Sequence, residues 1–167
     1  MEDVNTARSR SGYLITYAAC PILWASKMQT EIALSTTEAE YIALSTALRE
    51  VIPLMDLLSE FQTHIDSTII NLPTIHCRLF EDNSGAHELA TTPKMRPRTK
   101  HINVKYHHFR AYVDRKWISL KQISSEHQLA DIFTKPLNSA LFHRLRHAIM
   151  HTTNTVTDQV DEGVSQS

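Results

Sequence analysis

The sequence predicts a mixed α/β domain with helices packed on a sheet. Three observations carry that expectation. Apolar residues alternate along short β-branched stretches, they recur at helical spacing along longer ones, and the two kinds interleave as β-β-α-β-α-α-β-α-α. The chain has 167 residues, which suits one domain, and its 42% apolar content is enough for a core.

Each element has its own signal. Tyr13 to Cys20 (YLITYAAC) is rich in β-branched and aromatic residues; Pro21 breaks it, and Ile22 to Ser26 reads as its hairpin partner. Helical periodicity runs from Thr36 to about Phe61, with Pro53 expected to kink or divide it. Thr74 to Phe80 (TIHCRLF) alternates as a strand, and "NSGAHELA" opens a short helix behind an Asn or Ser cap. After the basic loop "TTPKMRPRTK", His101 to Arg115 has helical character, with Val104, His108, Ala111 and Tyr112 on one stripe. Trp117 to Ile123 is the last strand. Ser125 to Gln128 is a capping-box pattern opening a short helix that Pro136 stops, and a final amphipathic helix carries Leu141, Leu145, Ala148 and Ile149. No internal repeat is present.

Net charge is −1, so global charge favours no class of partner. The distribution is uneven: between Lys94 and Lys116 lie eight Lys or Arg against one acid, Asp114. Such an island is compatible with a phosphate backbone, and equally with a solvated helix face. Cys20 and Cys77 sit in strand-like apolar runs without metal-ligand spacing and read as reduced, buried small hydrophobes of an intracellular protein. The start "MEDVNTARSR" is too polar for a signal peptide, and no apolar run approaches the roughly 20 residues of a membrane span. A cytoplasmic or nuclear location, with no membrane partner, is therefore expected. From His151 onward large apolar residues almost vanish, which predicts a disordered tail.

Two glutamates open the long helix, in "STTEAEYIALSTALRE". At about 100° per residue, Leu44, Ala47 and Val51 fall within roughly 40° of Glu40. Glu38 lies opposite, grouped with Ser45 and Arg49, and ends the capping-box pattern "STTE". Glu38 is thus a helix-capping residue on a polar face. Glu40 is a carboxylate on an apolar face, costly unless compensated. Asp82 ends the alternating strand where the chain turns into a helix, a common place for working residues in α/β folds; its neighbour Glu81 keeps register with Ile75, Cys77 and Leu79. Asp131 is flanked by Ala130 and Ile132. Each carboxylate has a bland reading as an edge or helix-face residue. Three at the ends of separate elements point instead to one hard-cation site, of the kind that Mg²⁺ fills with oxygen ligands and waters.

Four stretches, "SRSGYLITYAACPILWASKMQTEIALSTTEAEYIALSTALREVIPLMDLL", "FEDNSGAHELA", "RTKHINVKYHHFRAYV" and "SSEHQLADIFTKPL", resemble the ribonuclease H domain of copia-type retrotransposon Pol polyproteins. The similarity runs from about Thr6 to Met150, with the motifs in the family's order. It implies a five-stranded ribonuclease H-like mixed sheet with helices on both faces, and cleavage of the RNA strand of RNA–DNA hybrids by two-metal hydrolysis. By motif, Glu40, Asp82 and Asp131 take catalytic and metal-holding positions, with Mg²⁺ or Mn²⁺ as cofactor. Lys94, Arg96, Arg98, Lys100 and His101 are implied as hybrid-binding residues, and an upstream reverse transcriptase polypeptide as a partner.

The family's first strand, central in its sheet, bears a further catalytic aspartate that has no counterpart here. Asp3 falls where the family has a loop. The resemblance therefore implies a truncated domain: a polar leader at 1–10, an incomplete ribonuclease H-like domain at 11–150 and the tail at 151–167. The rival reading is an inactive remnant that at most binds nucleic acid; another nuclease or integrase-like activity on the same architecture is the third. His127 reads as an exposed loop histidine, and His101, His107 and His108 as surface or nucleic-acid-side residues.

Overall fold

Helix α1, Thr36–His64, organises the chain. The Ser35 hydroxyl accepts from the Glu38 amide at 3.1 Å, and the Glu38 carboxylate reaches back to the Leu34 amide at 2.8 Å. The expected cap forms, with its reciprocal bond one residue earlier than the capping residue itself. Pro53 does not divide the helix; its ring lies on an exposed side, where it displaces no packed neighbour. The first turns are buried nearly all round. Glu38, placed by periodicity on a polar face with Ser45 and Arg49, is 8% exposed and Ser45 is fully buried; only Arg49 of the three reaches water. A second layer of residues covers that side of the helix, so the polar face expected from the sequence is internal.

The computed structural model describes residues 8–65, 74–92 and 107–150. The leader through residue 7 with Asp3, the tail from His151, and Lys94, Arg96, Arg98, Lys100 and His101 lie outside them.

Strands β1 (Arg10–Tyr17) and β2 (Cys20–Met28) form an antiparallel hairpin with Arg10 opposite Met28. Its turn is Ala18–Ala19, both at positive φ (49° and 62°), the backbone that two-residue hairpin turns require and that Asn-Gly adopts with less strain. Pro21 does not break the strand but lies inside β2, where the register shifts beside Ile15 and Thr16. An irregular register there tolerates a residue with no N–H to donate. Cys20 is exposed at this turn and Cys77 only half-buried, so the expectation of two buried thiols fails. Apolar neighbours in sequence did not bring a covering layer to the end of the hairpin.

Strand β3 (Cys77–Glu81) pairs in parallel with β4 (Ile118–Gln122), Cys77 facing Ile118. Helix α2 (Ser84–Thr91) is capped by Asn83, whose side chain accepts from the Ala86 amide at 3.0 Å. Of the helix expected from His101 to Arg115, residues 101–106 lie outside the described ones, 107–109 are turns, and only α3, Arg110–Asp114, is α-helical. The capping box expected at Ser125–Gln128 does not form; two 3-10 turns, Ser125–His127 and Leu129–Phe133, replace the single helix, and Gln128 caps the second. Helix α4 (Ser139–Met150) closes the described chain and buries Leu145.

The core joins α1 residues Tyr41, Leu44, Leu48 and Val51 to Ala86 and Leu89 of α2, Phe109, and Ile118 of β4. Truncating a fully buried leucine such as Leu48 to alanine costs about 2–5 kcal/mol in comparable cores. Among the described residues the strands form two separate two-stranded sheets. Between β1 and β3 runs a cleft of about 670 Å³, floored by α1 residues including Leu44 and Val51. Leu14, Ile15 and Thr16 of β1 line it consecutively, as do Leu79, Phe80 and Glu81 of β3. Neighbours on a strand point to opposite faces, so lining by consecutive residues means that the cleft meets both strands along their edges. The architecture is mixed α/β, two small sheets flanked by helices, consistent with a ribonuclease H-like fold missing a strand.

Gly12 ties the hairpin to the rest. A Cβ there would lie 2.5 Å from Thr134 Cγ2, 3.0 Å from Phe133 Cβ and 3.3 Å from the Ala130 carbonyl oxygen. Nearby, the Ser26 hydroxyl donates to the Phe133 carbonyl at 2.6 Å. Gly12→Ala is expected to push β1 off the second 3-10 turn and to cost about 1–3 kcal/mol, measured by urea unfolding. Wild-type stability in that variant would show that the contact is not close.

Candidate carboxylate site

The end of the cleft nearest the first turn of α1 gathers acids from three elements. Glu40 comes from α1, Asp82 from the residue after β3, and Asp131 from the second 3-10 turn; all three line the cleft. Leu44, Ala47 and Val51 line it with Glu40, so the helical stripe selected from the sequence is the stripe that faces the cleft. The three expected site residues are thus brought together.

Two further side chains belong to the group. Glu81, only 6% exposed, stands at the end of β3, and its Oε1 accepts from the Asn83 amide at 2.9 Å. Lys135 extends its ammonium into the cluster: Nζ lies 2.9 Å from Asp131 Oδ1 and 3.0 Å from Oδ2, and 4.0 Å from Asp82 Oδ2. Asp82 Oδ2 also accepts from the Ser125 hydroxyl at 2.7 Å. Sequence reasoning selects neither Glu81 nor Lys135 for the site. A signal for each is present all the same: Glu81 keeps register with Ile75, Cys77 and Leu79, and Lys135 stands four residues after Asp131.

Burial sets the protonation of the cluster. It pushes the Glu81 carboxyl up to about 8; the Asn83 amide opposes that shift, and the charges of Glu40 and Asp82 add to it. Burial likewise raises Glu40, helped by Asp82 and Asp131 and opposed by Lys135. Asp131, 7% exposed, is raised by burial against the pull of Lys135. For Lys135 burial works against the charge, but the Asp131 hydrogen bond and the charges of Asp131, Asp82 and Glu40 outweigh it and the pKa rises. At neutral pH Glu81 is therefore a neutral acid, and the Lys135 ammonium faces the remaining carboxylates.

This donor set does not fit Mg²⁺ as it stands. A magnesium ion takes near-octahedral oxygen ligands at about 2.0–2.1 Å, one or two of them carboxylate oxygens that must be free and the rest mostly waters. Both Asp131 oxygens are held by Lys135, and Asp82 Oδ2 by Ser125. Among the described residues no group of three or more His, Cys, Asp or Glu is arranged to hold a metal ion.

The histidines divide. His127 is exposed, as expected, and its Nδ1 lies 2.8 Å from the Ser124 hydroxyl. His108 is exposed as well. His107 is half-buried rather than fully exposed: its Nδ1 lies 2.6 Å from the buried Tyr41 hydroxyl, and burial and Arg110 lower its pKa. Arg110, counted within the basic island, donates to the Leu89 carbonyl at 2.6 Å and so serves the fold. No described helix is long and apolar enough to cross a membrane.

Glu81 makes stability depend on pH. Its folded pKa of about 8 lies above the ordinary 4.5, so between those values the folded chain keeps a proton that the unfolded chain loses. Stability should fall as pH rises through that window, by up to about 1.4 kcal/mol per pH unit from this group. Glu81→Gln keeps the neutral shape and is expected to reduce the slope correspondingly, measured by urea unfolding at several pH values. An unchanged slope would mean that Glu81 is ionised in the fold.

Three related proteins place the chain. It is 34% identical over 151 residues to the retrovirus-related Pol polyprotein from transposon TNT 1-94 of Nicotiana tabacum, covering 90% of this chain and 11% of that protein. It is 33% identical over 147 residues to the Pol polyproteins from transposons RE2 and RE1 of Arabidopsis thaliana, covering 88% of this chain and 10% of each. The chain thus spans about a tenth of the length of these relatives. No family model and no solved structure matches it. The chain is homologous to a segment of the Pol polyproteins of copia-type retrotransposons.

Proposed function

We propose that this chain is a ribonuclease H-like remnant of a copia-type Pol polyprotein that binds nucleic acid and does not, as it stands, hydrolyse it. The observation that carries this reading is that the acids of the cleft are already committed to other partners: Lys135 holds both Asp131 oxygens and Ser125 holds Asp82 Oδ2. Glu40, Glu81, Asp82 and Asp131 come from α1, the end of β3 and the second 3-10 turn. The turn that carries Asp131 packs against β1, but the hairpin strands β1 and β2 themselves carry no Asp or Glu. Two-metal hydrolysis holds ions about 3.5–4 Å apart and needs ligands bridging them. Carboxylates held by Lys135 and Ser125, with none from the hairpin, do not supply that arrangement.

What remains is recognition. The basic island around Lys94, Arg96, Arg98 and Lys100, with His101 beside it, supports binding to an RNA–DNA hybrid or another nucleic acid through phosphates. The Pol homology supports a reverse transcriptase polypeptide as a protein partner.

An RNA–DNA hybrid incubated with the chain and Mg²⁺ or Mn²⁺ should stay intact while being bound. Binding should weaken steeply with salt, and changing Lys94, Arg96, Arg98 and Lys100 together to Ala should flatten the log–log slope by roughly 0.9 for each phosphate no longer neutralised. Robust turnover by the unmodified chain would contradict the catalytic half of the proposal, and a salt slope untouched by the substitutions the binding half.

A further inference from the structure

The ammonium of Lys135 is placed by local structure rather than by chance of rotamer. The Lys135 amide donates to the Asp131 carbonyl at 3.0 Å, closing the turn that carries both residues, and Pro136 follows. Proline restricts the backbone of the residue before it, which limits the directions in which the lysine side chain leaves the chain. The side chain then meets both Asp131 oxygens almost equally, at 2.9 and 3.0 Å, and leans toward Asp82 at 4.0 Å. Ser125 holds the Asp82 carboxylate from the other side.

From this geometry we propose that Lys135 is the resident cation of the carboxylate cluster, neutralising it from within and excluding divalent ions until the ammonium is withdrawn. The inference rests on the reading of the site as catalytically silent. A tethered ammonium competes with free ions at an effective concentration of about millimolar or more, without the entropy cost of capturing an ion from solution. Removing it leaves Glu40, Asp82 and Asp131 as near neighbours without a counter-charge. Such a cluster draws in a cation, because like charges in a partly buried site repel strongly.

The test uses the full chain with Mn²⁺ as probe, its bound fraction read by electron paramagnetic resonance. Lys135→Met is expected to bind Mn²⁺ about tenfold more tightly than wild type, or better. The gain should disappear in Lys135→Met combined with Asp131→Asn, which locates the ion at this cluster. Lys135→Arg keeps a cation in place and should bind Mn²⁺ no better than wild type. Equal affinity of wild type and Lys135→Met would overturn the inference, and so would a gain that survives Asp131→Asn. Should the methionine variant fail to fold, the wild type decides alone: Mn²⁺ should leave the amide signals of Glu40, Asp82 and Asp131 unbroadened, and selective broadening there would overturn it. Hybrid cleavage by the wild type would strike the functional reading, whereas equal Mn²⁺ affinities with no cleavage would strike only the role of Lys135.

Discussion

Helix α1 has to be buried on two sides at once, and the rest of the fold follows from that constraint. One side packs into the core through Tyr41 and Leu48, against Phe109 and helix α2; the other floors the cleft through Leu44, Ala47 and Val51. A helix enclosed in this way has no water-facing stripe in its first turns, so its polar residues there must find partners inside. Ser35 and Glu38 do so at the amino end of the helix, Ser35 accepting from the Glu38 amide and Glu38 from the Leu34 amide. Glu40 cannot cap, and its side chain is committed to the cleft with the other acids.

The acids at the end of the cleft are tolerated because two devices lower their combined charge. Glu81 keeps its proton, since burial and its negative neighbours make ionisation costly. Lys135 supplies a positive charge within hydrogen-bond distance of Asp131. Asp131 is buried while Lys135 is partly exposed, so it is the aspartate that depends on the lysine for its counter-charge. The same pairing that makes the site stable occupies the oxygens a metal ion would use. In this chain internal pairing and metal coordination would compete for one set of carboxylates.

Much of this is legible in the sequence, for identifiable reasons. The helical angle between Glu40 and Leu44, Ala47 and Val51 is a local property, and the structure keeps it: all four line the cleft. The hairpin, β3, α2, β4 and α4 carry strong periodicity or cap signals and are present. What fails depends on neighbours distant in sequence. Glu38 reads as solvent-facing because a single helix cannot show that both its sides are covered. Pro21 and Pro53 read as breaks because sequence does not reveal a shifted register or an exposed position that accommodates the ring. Cys20 and His107 exchange places relative to expectation: the thiol of an apolar run lies at an uncovered turn, while the histidine of a basic segment bonds a buried tyrosine. Ser125 reads as a helix cap but spends its hydroxyl on Asp82, a residue far away along the chain.

The central claim is that the cluster carries its own cation. Nitrogen-15 NMR of the Lys135 side chain tests it most directly, through the exchange rate and shift of the ammonium while Mg²⁺ is added. The account predicts a slowly exchanging, hydrogen-bonded ammonium, coupled across to the Asp131 carboxylate, whose signal does not change on addition of Mg²⁺. A rapidly exchanging ammonium like that of an exposed lysine, or one released from Asp131 as Mg²⁺ is added, would contradict it.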